Sequence, residues 1–108
     1  MPLSRTSATF TVTGGAPGTP AVIVGAVTGK SIYVYGFLVS NAAGTAAAAE
    51  WEDTDAETLS GVMTLVANGT IVAHTSSIPC FRTAPGKGLN LQATTNNVTG
   101  YVIYSIGP

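Results

Sequence analysis

After Ala21 the chain never sustains an apolar run long enough for a packed helix. AVIVGAV (21–27), SIYVYGFLVS (31–40), AAAAEWE (46–52), GVMTLVA (61–67), TIVA (70–73), the neighbourhood of CFR (80–82), LNLQATT (89–95) and YVIYSI (101–106) follow one another at short intervals, divided by Gly, Asn, Pro and Ser. Short runs rich in β-branched and aromatic residues, bounded by turn formers, read as strands. Ser4 to Thr13 adds one more. Parallel strands need long crossover connections, usually helical, and there is no room for them here. The expected fold is therefore all-β, an antiparallel β-sandwich of jelly-roll type. Residues 1–20, interrupted by GGAPGTP at 14–20, are expected to form an N-terminal arm and first strand, and residues 21–108 the sandwich domain. Gly29, Gly69, Gly86, Gly88 and Gly100 are placed at turns, where they can take positive φ, with Asn68-Gly69 as a hairpin dipeptide.

The stretch TAAAAEWED (45–53) tests this reading, because alanine and glutamate favour helix residue by residue. A helix would need large apolar groups around Trp51 at the i±3 and i±4 positions, and the sequence supplies only Ala47, Ala48, Thr54 and Asp55. A strand puts Ala47, Ala49 and Trp51 on one face and Ala48, Glu50 and Glu52 on the other, a half-buried pattern. The strand is preferred. Thr54-Asp55-Ala56-Glu57 fits a capping box, so at most a short helical turn, ended by Gly61, is expected between Asp53 and Ser60.

Composition narrows the function. Lys and Arg number four and Asp and Glu five in 108 residues, 8% charged, where ordinary soluble domains carry about 25%. With a positive mean hydropathy, apolar side chains remain after one core is filled, and they point to a surface meant for a protein partner. A net charge of −1 with Arg5, Lys30, Arg82 and Lys87 dispersed provides no basic stripe for nucleic acid. No run is long enough for a membrane-spanning helix, and MPLSRTSATF lacks the apolar segment of a secretory signal, so a chain made and kept in a cytoplasm, with no membrane partner, is expected. The single cysteine, Cys80, reads as a buried small hydrophobe in a reducing compartment.

No constellation for catalysis emerges, and none for a cofactor or metal. Gly29-Lys30-Ser31 resembles the end of a phosphate loop, but Val24 stands where the first glycine belongs and a strand follows instead of a helix. Asp53, Asp55 and Glu57 echo the first ligands of an EF-hand loop, yet Thr58 and Thr64 occupy the positions of its glycine and final glutamate. The acids lie in one short segment rather than across a cleft. His74 and Cys80 have no neighbouring acid to orient the ring, and His74 is read as a surface residue.

The aromatic pattern carries more. Strict alternation along 31–40 sets Tyr33, Tyr35 and Phe37 on one side and Ile32, Val34 and Leu38 on the other. The doubling recurs in Tyr101, Ile103 and Ser105 against Val102, Tyr104 and Ile106. A sandwich strand has one core-facing side, so either the N-terminal arm or a symmetry mate covers the second, or these tyrosines are ordinary half-exposed sheet residues. Tyr33, Tyr35, Phe37, Trp51, Tyr101 and Tyr104 are the expected interface residues.

The ordered series TGKSIYVYGFLVS, AEW, LSGVMTLVANGTIV, CFRTAPGKGLNLQATT and VTGYVIYSI, from Val22 to Ile106, resembles small β-sandwich virion proteins of tailed bacteriophages, a group with capsid decoration (cement) proteins and head-fibre or tail components. The resemblance is carried by Leu59 to Gly69 and Thr83 to Leu91. It implies no active site, homo-oligomerisation with a trimer favoured, and binding to the major capsid protein lattice. The expectation is a non-enzymatic decoration protein on the capsid surface of a virion. The alternative is a fibre component binding host glycan, for which Trp51 beside Glu50, Glu52 and Asp53 is the candidate grouping.

Overall fold

The computed structural model describes residues 5–14, 20–73 and 77–108. They form strands β1 (Thr6–Val12), β2 (Ala21–Val24), β3 (Ser31–Ser40), β4 (Ala47–Asp53), β5 (Thr58–Leu65), β6 (Thr70–Ala73), β7 (Phe81–Arg82), β8 (Leu89–Thr94) and β9 (Val98–Gly107). There is no helix among the described residues. One sheet runs β1-β9-β3-β6, with the two-residue β7 also on β3, and the other runs β2-β8-β4-β5. Every pairing is antiparallel. The sheets pack face to face as a sandwich, and the buried cluster draws Val12, Ile32, Phe37 and Val102 from one and Ala49, Trp51, Leu65 and Leu91 from the other.

Among the described residues only β4 and β5 are consecutive strands hydrogen-bonded to each other. Most of the remaining connections cross between sheets, so pairing is non-local and the termini-proximal β1 and β9 meet along seven register pairs, from Thr6 opposite Tyr104 to Val12 opposite Val98. Asn68-Gly69 is one of these crossings. It turns tightly, with Gly69 N donating to Val66 O (2.9 Å) and Asn68 at φ 57°, but joins β5 to β6 in the opposite sheet instead of closing a hairpin. Asn41, fully buried, braces it by donating to Thr45 O (2.8 Å) and Val66 O (3.1 Å).

TAAAAEWED forms β4 from Ala47 onward, with Ala47, Ala49 and Trp51 buried as the alternation predicts. The expected helical turn after Asp53 does not form. Asp53 Oδ1 accepts from Asp55 N (2.8 Å) and Glu57 N (3.1 Å), while Ala56 N donates to Asp53 O (3.0 Å) with Ala56 at φ 62°, closing a β4–β5 turn before a helix can start. Gly29-Lys30 is a turn, Lys30 N to Val27 O (3.0 Å), that leads into a strand.

Three of the five glycines expected at positive φ serve another purpose. Gly29 and Gly86 adopt it; at Gly69, Gly88 and Gly100 the need is close approach. A Cβ on Gly100 would meet the carbonyl of Leu38 and the ring of Phe10. Gly100→Ala is expected to destabilise the fold by about 3 kcal/mol, the upper range for forcing atoms into a packed interior, as read from the midpoint of urea unfolding. A change under about 0.5 kcal/mol would show that β1 and β3 can part without cost.

The segment 1–20 is less of an arm than its composition suggests. Thr6–Val12 is a core strand, burying Val12 and setting Phe10 against Trp51; residues 1–4 and 15–19 lie outside the described residues. Removing residues 1–17 would therefore take out part of the sandwich itself.

Candidate functional site

A β-bulge decides which aromatics reach the surface. The β3–β9 register pairs Val34 with Tyr104 and Gly36 with Ile103, leaving Tyr35 as the extra residue. Before the bulge Ile32 and Val34 face the core; after it Phe37 and Val39 do, and Leu38 turns outward. Alternation across Gly36 is therefore broken, and Phe37 does not share the face of Tyr33.

Of the six expected interface residues, three are core. Phe37 stacks edge-on with Trp51 (centroids 5.5 Å apart) and contacts Phe81 (6.2 Å). Trp51 is wholly enclosed between Phe10, Phe37 and Phe81. Tyr104, in register with Val34, packs against the same cluster. With Trp51 inside, the grouping of an exposed ring beside Glu50, Glu52 and Asp53 does not form.

Tyr33, Tyr35 and Tyr101 lie on the outer face of the β1-β9-β3-β6 sheet. Tyr35 is covered from within the chain, by the Arg5 guanidinium 3.9 Å above its ring and by Ser105 Oγ, which donates to its hydroxyl (3.3 Å). Tyr33 Oη donates to the carbonyl of Pro108, and Arg82 stands over its ring (5.9 Å). Tyr101, 36% exposed, has no such cover among the described residues. Its cross-strand partner is Leu38, and the partner of Leu38 is Val72. Val72, Leu38 and Tyr101 thus form an apolar row across three strands, with Ile103 beside it, on a face whose charges are only Arg5 and Arg82 at one end. The periodicity of the chain hides this row, because the bulge must be placed before Leu38 can be assigned outward; Gly36 inside a strand is the signal that places it.

The outer face of the other sheet is mixed, with exposed Val22 and Val62 beside a group of carboxylates and amides. Glu50 and Glu52 on β4 stand opposite Gln92 and Asn90 on β8. Glu52 and Asn90 are 6% and 7% exposed, and Glu52 Oε1 and Asn90 Oδ1 are buried without a donor. Burial raises the Glu52 carboxyl above its ordinary value, the hydrogen-bonding proximity and charge of Glu50 push the same way, and Asp53 adds to it. At the adjoining turn Lys87 Nζ pairs with Asp55 (2.9 Å), and that carboxylate holds the lysine above its usual range.

Cys80, expected in the core, is exposed. Its amide donates to Val34 O (2.7 Å) and Phe81 takes the inward position of β7, which leaves the thiol outside. His74 lies outside the described residues. Among the described residues no three His, Cys, Asp or Glu side chains are grouped to hold a metal, and no pocket indents the surface. No protein-family model matches the chain, and no curated protein shows significant sequence similarity to it.

The raised Glu52 carboxyl fixes the sign of a pH effect. A carboxyl whose folded pKa lies above its unfolded one contributes stability below the unfolded value, and loses that contribution as pH rises through the folded value. Glu52→Gln removes a buried charge and offers Glu50 a donor. It is expected to stabilise the protein at pH 7 by about 1 kcal/mol, the order of one internal hydrogen bond, and to flatten the gain seen on acidification toward about pH 4. Urea unfolding at both pH values measures this; destabilisation at pH 7 would mean the ionised carboxylate is the favoured form.

Proposed function

We propose that this chain is a non-enzymatic structural protein of a phage virion, a decoration protein that binds the outside of the capsid and stabilises the shell, acting as a homotrimer. The observation that carries the reading is the row Val72, Leu38 and Tyr101 with Ile103 on a nearly uncharged sheet face. A face of that kind loses little on dehydration, since few charges must be stripped of water. Each 100 Å² of apolar surface covered there contributes about 2.5 kcal/mol before the cost of association. Repeated over many copies, modest contacts sum to a large resistance to expansion.

The strand order supports the finer fold assignment. Two four-stranded sheets ordered β1-β9-β3-β6 and β2-β8-β4-β5 are how eight strands fall when a chain folds as a jelly roll, a form used in viral capsid proteins; β7 is then a short addition along the β3 edge. The resemblance of Leu59 to Gly69 and Thr83 to Leu91 to phage virion proteins points the same way.

Leu38→Lys and Tyr101→Glu test the face without touching the core. Each is expected to lower co-sedimentation with empty capsids at least tenfold, about 1.4 kcal/mol or more, while circular dichroism and unfolding midpoint stay near those of the unaltered protein. Analytical ultracentrifugation of the unaltered chain should give three times its 10.8 kDa mass. Undiminished capsid binding by both variants would remove this face from the interface, and a monomer that still binds capsids would remove the trimer.

A further inference from the structure

The outer face of the β2-β8-β4-β5 sheet holds two enclosed acceptors, Glu52 Oε1 and Asn90 Oδ1, with no hydrogen-bond partner. Glu50 and Glu52 are two apart on one strand, so both project to the same side, and the cross-strand partners Gln92 and Asn90 bring amide groups alongside. Glu50 lies close enough to help raise the Glu52 carboxyl, and two ionised carboxylates have no hydrogen to share. Asn90 Oδ1 and Glu52 Oε1 are enclosed and lack any donor. A buried acceptor without a partner costs about 1–3 kcal/mol, more when charged, so two side by side call for an occupant.

Among the described residues the neighbouring strands supply no cation. β2, β5 and β8 bring no charged side chain to this face; Val62 stands opposite Glu50 and Thr58 opposite Glu52. Asp53 adds negative charge, and Lys87 at the adjoining turn is engaged by Asp55. Asp53 Oδ1 is itself taken by two backbone amides of the β4–β5 turn, which separates this cluster from the turn that echoes an EF-hand loop.

We propose that Glu50, Glu52 and the side-chain carbonyl of Asn90 form a binding site for a hard divalent cation, calcium by its ligand set. All the donors are oxygens, with neither imidazole nor thiolate to select zinc or copper. The two partnerless oxygens belong to cross-strand partners and are enclosed from water, which suits an ion held between side chains better than a guanidinium approaching from outside. Two carboxylates and one amide oxygen fill only part of the six to eight positions calcium takes, and water completes the shell. A site with so few charged ligands belongs at the weak end of protein calcium sites, with Kd of order 10⁻⁴–10⁻³ M.

Thermal unfolding of the full chain in CaCl₂ at pH 7.5 provides the test. At about 10 mM calcium the midpoint is expected to rise by roughly 3 °C or more, and Mg²⁺, which demands stricter octahedral geometry, should give less. Glu52→Gln should abolish the rise, Asn90→Asp should enlarge it by adding a third carboxylate, and Glu57→Gln, outside the cluster, should leave it unchanged. Tb³⁺ luminescence excited through Trp51, the residue between the two glutamates, reports binding independently and should be displaced by Ca²⁺. The proposal fails if NaCl at matched ionic strength reproduces the shift, or if Glu52→Gln responds as the unaltered chain does. It fails equally if acidification to about pH 5 raises the midpoint while calcium does not, since a proton shared by Glu50 and Glu52 would then be the occupant.

Discussion

The indole of Trp51 joins the two sheets. It meets Phe10 of β1 edge-on at 5.6 Å and Phe37 of β3 at 5.5 Å, with Phe81 of β7 at 6.4 Å, so one side chain of the second sheet is gripped by three strands of the first. The grip has a cost: Trp51 Nε1 is buried with no acceptor, worth about 1–3 kcal/mol against the fold. Enclosing roughly 200 Å² of indole at about 25 cal/mol per Å² returns roughly 5 kcal/mol, before the ring contacts are counted. Burial wins, and an aromatic joint is tolerated where a hydrogen-bonded one would require a polar group in the core. The small side chains of Ala47, Ala49 and Ala93 occupy the same layer, which leaves the interior volume to the four rings.

Non-local pairing makes that joint matter more. With β4–β5 the only consecutive strands paired to each other, few local contacts form ahead of the sandwich as a whole, and loop-closure entropy must be offset by contacts made late. The turns are accordingly tied down by fixed polar groups. Thr83 Oγ1 takes the amide of Ile32 (2.9 Å) and donates to Lys87 O (2.9 Å), while Asn96 Nδ2 reaches Thr45 O (2.9 Å) and Ala46 O (3.1 Å). These side chains hold the crossings that the strand ladders do not reach.

Much of the fold is legible in the residues, and the exceptions share a cause. Ser31–Ser40 and Thr70–Ala73 fall where their apolar runs place them, and Ala47–Asp53 is a strand because Trp51 has no helical partners to bury against. What alternation misses is whatever depends on a single inserted residue or on the far side of a ladder. Tyr35 in the bulge moves Phe37 inward and Leu38 outward, and a one-residue slip exchanges every later side chain between faces. Gly100 reads as a turn glycine until Leu38 is seen across from it. Asn68-Gly69 reads as a hairpin because the dipeptide encodes the turn's shape and not the sheet its second strand will join. Cys80 follows from Phe81 being the better core residue at the β3 edge.

With so few charges, their placement shapes the whole surface. The acids lie along β4 and the β4–β5 turn, and the face bearing Val72, Leu38 and Tyr101 keeps only Arg5 and Arg82, both drawn over tyrosine rings. Covering that face removes water mainly from hydrocarbon and aromatic groups, which is favourable without any matched chemistry on the other side. Covering the face of Glu50, Glu52 and Asn90 is unfavourable unless the covering surface brings donors or positive charge, because its acceptors are already short of them. The two sides of one small sandwich therefore respond differently to a neutral partner, and that difference favours one orientation of it on a largely apolar surface.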